Sequence, residues 1–354
     1  MSNERKEEGI DDDYFDYQNI IIDPKQTQIR IDKFLMDRVK DISRNRVQNA
    51  IRVGAITVDG KKIKPNFKVK PGQEVKIVLP RPPGEGQHVL AQDIPLDIRY
   101  EDEDILIVHK AAGMVVHPGI GHKTGTLVNA LAYHFNQHEV DIEGNTFQSR
   151  LGLVHRIDKN TSGLLVVAKN EHAISHLAKQ FYDHTIERTY YALVWGDPDP
   201  EAGKIDMPIG RHPRHRLQFT TFPEEEEQGK WAITHYKVLE SLYYVSLVQC
   251  QLETGRTHQI RVHMKHLGHP LFNDDRYGGN RIMKGTIFSK YKSFVDRTFS
   301  LLPRHGLHAK SLGFIHPRTN EFMQFDSDVP KDFKDVLEAW RTYIKGRKAA
   351  IGKL

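Results

Sequence analysis

Three stretches place reactive groups where a plain apolar core would have no use for them. The first is HRIDKNTSGLLVVAK, residues 155–169. Its charged start runs into the turn-rich KNTSG and then into a strand-like run, which puts Asp158 on a loop at a sheet edge. A carboxylate there can act as a nucleophile or a proton acceptor. The same residues also make a good turn, in which Asp158 only hydrogen-bonds its own backbone. The second stretch is ERTYYALVWG, residues 187–196. Strand alternation sends Tyr190 to one face and Tyr191 to the other, and either could be an ordinary strand aromatic. The third is LETGRTHQIRVHMKHLGHP, residues 252–270. Here Arg256, His258, Arg261, His263 and Lys265 crowd a short helix whose apolar residues are Ile260, Val262, Met264 and Leu267. A cation so near a core needs an anionic partner, unless the helix simply exposes a basic face. Together, a loop carboxylate, a phenol and an arginine suit work on an RNA base. The arginine would hold the carboxylate ionised, and the tyrosine would offer a stacking face to a base lifted from its strand.

The elements that must position these groups fall into two blocks. Ile31, Phe34, Leu35 and Val39 recur at helical spacing. Ser43 is a natural N-cap for a second helix, SRNRVQNAIRVG, with Gly54 as its stop. AITV, an Asp59-Gly60 turn and EVKIVL read as short strands. The boundaries expected are an acidic mobile tail over 1–27, a small domain over 28–80, a Pro/Gly linker over 81–95, a large domain over 96–345 and a basic tail over 346–354. In the large domain, strand-like runs (DILIVH, GLLVVAK, TYYALVWG, WAITHYKVLE, YYVSLVQCQLE) alternate with a few helices. That texture predicts an α+β fold with a mixed or antiparallel sheet.

Composition narrows the function classes. The chain has 354 residues, 38% of them hydrophobic, and a net charge of +5. Residues 1–27 carry eight acids against three bases, whereas residues 28–80 carry thirteen bases against five acids. Such an excess in a small segment points to phosphate, with Arg44, Arg46, Arg52, Lys61 and Lys62 expected on its outside. No run is long and apolar enough to span a membrane, and the acidic start is no secretory signal. The single cysteine, Cys250, lies in an apolar alternation and is expected to pack as a small hydrophobe, in keeping with a reducing cytoplasm. Twenty histidines invite a zinc reading, and His134 and His138 stand one helical turn apart. There is no H-E-x-x-H or C-x-x-C, so no metal is expected.

The three stretches, in this order and spacing, resemble the motifs of the RluA-type family of pseudouridine synthases. GTLVNALAYH (125–134) and HAKSLGFIHPRT (308–319) resemble further segments of that family. Residues 28–80 are similar to the S-four-type RNA-binding domain. With the segment GRHPRHRLQF (210–219), the combination is most similar to the subgroup acting on large-subunit ribosomal RNA. The resemblance implies a pseudouridine synthase fold: a long mixed, mainly antiparallel sheet with flanking helices and a central cleft. It implies an isomerase that turns uridines of 23S ribosomal RNA, in the helix-69 stem-loop, into pseudouridine. No cofactor, no small-molecule substrate and a monomeric state are implied with it. By motif position, Asp158 is the essential aspartate, Tyr190 the tyrosine that stacks on the uracil, and Arg261 the arginine that pairs with the aspartate. Arg156 would enter the space left by the flipped base, and Ile260 would touch the base. Ile157 stands where leucine is commoner. Asn273 stands where glycine is usual, and asparagine tolerates left-handed backbone. Glu224–Glu227 and residues 281–303 fit the family less well.

Overall fold

Ser43 opens the second helix as its sequence requires: its side chain accepts a hydrogen bond from the Arg46 amide, 3.2 Å away. Gly54 closes the helix at a φ of 78°. The computed structural model describes residues 15–39, 42–80, 89–119, 121–137, 152–224, 226 and 228–351. In the small domain these hold β1 (Phe15–Ile21), α1 (Ile31–Met36), α2 (Arg44–Val53), β2 (Ile56–Val58), β3 (Lys61–Lys62) and β4 (Glu74–Pro80). Then come β5 (Asp97–Glu101), β6 (Ile105–Lys110), α3 (Leu127–Gln137), β7 (Ser162–Ala168), α4 (Glu171–Tyr182) and β8 (Glu187–Trp195). After them run β9 (Ala202–Asp206), β10 (Ile209–Arg211), β11 (Phe219–Thr221), β12 (Ile233–Ser241) and β13 (Val245–Leu252). The chain continues through α5 (Gln259–His266), α6 (Ser289–Leu301), β14 (Leu307–Ile315), β15 (Phe322–Asp326) and α7 (Lys331–Ile351).

Three boundaries differ from the expectation. The acidic tail over 1–27 is not a tail beyond residue 14: β1 pairs antiparallel with β4, from Phe15↔Pro80 to Ile21↔Glu74. Ile22, just after it, is fully buried. The partner strand lies more than fifty residues away, so local composition could not announce the pairing. Residues 1–14 lie outside the described residues, as do 81–88 of the linker. Residues 89–95 are irregular but pinned to the large domain, because Asn129 Nδ2 donates to the Leu90 carbonyl at 2.7 Å. The expected basic tail over 346–354 is helix as far as Ile351, since α7 runs on without a breaker.

The large sheet has nine strands in the order β5-β6-β7-β14-β8-β13-β12-β9, with β15 on the other side of part of β14. Every pairing is antiparallel except that of β14 with β7. At this parallel seam the backbones come unusually close. A Cβ on Gly163, whose φ is 120°, would lie 2.2 Å from the Ala309 carbonyl oxygen. Only glycine fits there, which explains the Ser-Gly that follows the Asp158 loop.

Apolar residues form three main buried clusters. One holds Cys250, Tyr190, Ile260 and the inward side of α3, beneath the sheet's central strands. A second is rich in aromatics: Trp195, Phe272, Tyr291, Phe294 and Trp340 bind α6 and α7 to the opposite face. Residues 281–303, which fit the family motifs poorly, thus serve packing through Tyr291, Phe294 and Val295. The third cluster is continuous across the two domains. It joins Val47, Ala50 and Ile51 of α2 to Ala173, Leu177 and Phe181 of α4 and to Leu164 and Val166 of β7.

Candidate active site

The loop that leads from His155 into β7 is held by side chains remote from it in sequence. Lys110, at the end of β6, is 1% exposed and donates to the carbonyls of Ala111, Met114 and Lys159 at 2.8–3.0 Å. Burial pushes its ammonium down to about 7. Arg304 donates to the Asn160 carbonyl at 3.0 Å and is paired to Asp332. Thr161 Oγ1 meets His305 Nε2 at 2.9 Å, and Ser162 Oγ meets His308 Nδ1 at 3.0 Å. Asp158 closes the turn through its backbone, its carbonyl accepting the Thr161 amide, while its carboxylate meets Arg261.

Arg261 Nη1 donates to Asp158 Oδ2 at 2.9 Å, while Nε and Nη2 grip Asp274 at 2.7 and 2.9 Å. Asp274 is fully buried and also accepts the amides of Arg276 and Tyr277. The two-pronged Asp274 contact fixes the guanidinium plane, leaving one edge for Asp158. Arg261 further lies 4.9 Å from the Tyr277 ring centre. Burial alone would raise the Asp158 pKa; instead His258, Arg261 and His305 hold it well below the usual carboxylate range. Burial pushes His258 itself down to about 4 and His305 to about 3. Both are therefore neutral at neutral pH, and Arg261 is the standing cation that keeps Asp158 ionised. His258 Nε2 lies 3.9 Å from Asp158 Oδ1, while its Nδ1 contacts the Tyr277 hydroxyl at 2.7 Å.

Asp158, Tyr190 and Arg261 line one cleft of about 360 Å³. Its apolar wall includes Val154, Ile157, Tyr190, Leu252 and Ile260. Its polar wall includes Arg156, Arg188, Arg256 and His258. Such a volume accepts a small planar group rather than a strand of RNA. Tyr190 is buried on β8, and burial raises its phenol, with Arg188 opposing and Asp158 reinforcing the shift. It stays protonated at neutral pH. Tyr191 faces the other way, where the Lys310 ammonium lies 5.8 Å from its ring centre. Arg156 is exposed at the cleft, and Ile260 is buried in its wall.

The basic residues expected on the small domain divide. Lys61 and Lys62 are exposed on β3, and Arg52 is exposed at the end of α2. Arg44 is exposed but bonds the buried carboxylate of Asp32 at 3.1 Å. Arg46 is a correction: it is 6% exposed, not outward. It lies beside Ala50 on the helix surface, at the edge of the apolar stripe, and is drawn in with it. Asn273 adopts φ 56° as expected, and its side chain donates to the Phe299 and Leu302 carbonyls. His138 lies outside the described residues, and His134 is 2.9 Å from Glu101. Among the described residues, Asp102, Asp104 and His316 bring ligand atoms within 4.8 Å of one another, but Arg318 and His316 already pair with the two carboxylates. Sequence reading missed Lys110, Arg188, Asp274, Arg304 and His305. For Arg188 a signal existed: alternation puts it on the face of Tyr190.

Comparison with known proteins places this fold and its cleft among the RNA-modifying isomerases. Residues 104–266 match the family described as RNA pseudouridylate synthase, and residues 29–75 match the S4 domain. The chain is 43% identical over 319 residues to an uncharacterized RNA pseudouridine synthase of Chlorobaculum parvum, covering 90% of this chain and 96% of that protein. It is 42% identical over 309 residues to the ribosomal large subunit pseudouridine synthase D of Zymomonas mobilis, covering 86% and 92% of the two chains. The fold of human RNA Pseudouridylate Synthase Domain Containing 4 superposes with a TM-score of 0.52 at 24% identity, over 69% of this chain and 92% of that one. The chain belongs to the RNA pseudouridine synthase family. No described helix is long and apolar enough to cross a membrane.

Proposed function

We propose that this isomerase acts on uridines of 23S ribosomal RNA, in the helix-69 stem-loop, with Asp158 as its catalytic group. The observation that carries the reading is the Asp158 carboxylate, ionised by Arg261 at 2.9 Å beside the buried Tyr190 ring. The ribosomal target draws on the likeness to the Zymomonas enzyme, whose name specifies the large subunit.

The cleft is too small for paired RNA, so the target base must leave its stack, at a cost of a few kcal/mol. Arg156, exposed at the cleft, fills the gap the base leaves. Tyr190 supplies a flat surface for the base, and Ile260 contacts its edge. Asp158 then either attacks carbon 1 of the ribose or removes the proton on carbon 2. Each route breaks the bond to nitrogen 1 of uracil. The base turns and carbon 5 bonds to carbon 1 of the sugar, which releases Asp158 from carbon 1 on the first route and is joined by return of the proton to carbon 2 on the second; the carbon-5 proton then leaves and nitrogen 1 gains one. The sum is an isomerisation with no redox change, so the chemistry requires no cofactor. Lys61, Lys62 and Arg52 contact phosphates at a distance. We expect a monomer in the cytoplasm, because the RNA supplies the partner surface.

The test is tritium release from large-subunit RNA labelled at carbon 5 of uridine, on naked RNA and on subunits, for wild type and Asp158→Asn. Release by wild type and none by the variant is expected. Release by both would remove Asp158 from the mechanism, and release from other RNAs alone would replace the ribosomal target.

A further inference from the structure

Among the described residues, Arg188 is a cation without a counter-charge in the wall of the cleft. It is 8% exposed and lies on β8 two residues before Tyr190, on the same face. Nη2 donates to the Glu253 carbonyl at 3.0 Å. Nε is buried and has no hydrogen-bond partner among the described residues. No carboxylate lies within ion-pair range of it among those residues; the Glu253 carboxylate is engaged by His235 at 2.5 Å. Burial lowers its pKa, the Tyr190 phenol opposes that shift and the positive Arg256 adds to it, while the guanidinium lies 5.4 Å from the Phe181 ring centre. The guanidinium lies under Gly255, where a Cβ would come 2.6 Å from Nη1. A buried guanidinium in this state costs several kcal/mol, so the site favours an anion beside it.

Two anions come near this site in the proposed reaction. One is an RNA phosphate. Phosphates stay on the strand outside the cleft, where Arg156 is exposed and Arg256 half-exposed. The other is the uracil itself. When the bond from carbon 1 to nitrogen 1 breaks, its electron pair goes to the base and spreads over nitrogen 1 and the two carbonyl oxygens. Attack by Asp158 and removal of the carbon-2 proton both produce this anion. Arg188 is as deeply buried as Tyr190, one strand repeat along from the ring on which the base lies.

We propose that Arg188 is a catalytic residue that stabilises the detached uracil anion, donating N–H bonds to a carbonyl oxygen as its charge grows. The proposal rests on the reading of this cleft as the place where the sugar–base bond opens, whichever group opens it. Arg188 takes up no proton and forms no covalent bond. It supplies a fixed positive charge in a site from which water is excluded, a stronger effect on the transition state than on the neutral bound base. When carbon 5 bonds to the sugar, the negative charge vanishes and the base is free to leave.

The test combines single-turnover tritium release at saturating enzyme, equilibrium binding of the same RNA, and thermal melting. The variants are Arg188→Gln, Arg188→Lys and Gly255→Ala, with Asp158→Asn for reference. Arg188→Gln is expected to slow release by about 10²- to 10³-fold, the cost of losing one oxyanion donor. Its RNA affinity should match wild type, its melting temperature should not fall below wild type because the buried charge is removed, and Arg188→Lys should recover part of the rate. Gly255→Ala, which displaces the guanidinium without removing it, should also slow release. A rate for Arg188→Gln within about threefold of wild type overturns the proposal. So does a loss confined to RNA affinity, which would make the ligand a phosphate. If Arg188→Gln fails to fold, full activity of Gly255→Ala overturns it. Normal release by Asp158→Asn beside slow release by Arg188→Gln would remove the Asp158 reading and keep this one. No release by the wild type would overturn both.

Discussion

Among the described residues, His155, His263, His305 and His308 are buried in or near the large domain's central sheet, and His258 is half-buried beside them. Burial pushes His155, His305 and His308 down to about 3, and His258 and His263 to about 4. Their hydrogen bonds fit the neutral form; His155 Nε2, for instance, accepts the Val166 amide at 3.0 Å. Acidification is therefore a sharp perturbation. The unfolded chain binds protons on these rings near pH 6.5, whereas the folded chain refuses them until about pH 4. Stability is complete above the unfolded value and falls as pH falls. Each ring contributes about 1.4 kcal/mol per pH unit in that window. Five together reach about 7 kcal/mol per unit, comparable with the whole stability of a domain. Local opening and water entry would reduce this, and half the value still predicts unfolding before carboxylates titrate. Far-ultraviolet circular dichroism melts from about pH 8 to about pH 4.5 measure it. Melting temperature should be level above about pH 7 and drop steeply below 6.5. A curve that stays flat down to about pH 5, or a slope equivalent to fewer than about two protons, would refute the argument.

Further outcomes test other parts of the design. Asp274→Asn removes the buried partner that fixes Arg261; a loss of about 3–5 kcal/mol is expected in denaturant titration, with slower tritium release. Gly163→Ala should be among the most damaging small substitutions, because its Cβ would strike the Ala309 carbonyl. Its soluble yield and melting temperature should fall well below those of a substitution at the open Gly60. Lys61→Ala with Lys62→Ala should weaken RNA binding and lower the salt slope by about 2, while single-turnover release at saturation stays unchanged. An unchanged salt slope would move the phosphate contact elsewhere.

Much of the candidate site was legible because its polar groups stand where local folding rules also leave a mark. Asp158 stands between a charged run and a turn, and Tyr190 at an alternating position. Ser43, Gly54 and Asn273 announce backbone conformations that only a few residues adopt readily. What escaped depends on partners remote in sequence. β1 needs β4 to become a strand, and Arg261 needs Asp274 as well as Asp158. Arg46 could be placed inward only by knowing that α2 would be covered. Lys110 and Arg304 hold the Asp158 loop by bonding backbone carbonyls, which are the same at every residue and leave no pattern in a sequence.

The apolar cluster that runs from α2 through α4 into β7 bears on how the enzyme can be dissected. A small domain tethered by a linker could be cut away to measure what it adds. Here, removing residues 1–80 would strip the cover from Ala173, Leu177 and Phe181 and wet a wall that also reaches the cleft through Phe181. The truncated chain would lose solubility and cooperativity together with RNA affinity. Point changes at Lys61 and Lys62 separate these quantities, whereas deletion merges them. The same seam sets the Lys61–Lys62 edge at a fixed span from Asp158, so any RNA that touches both must bridge that gap in one rigid step.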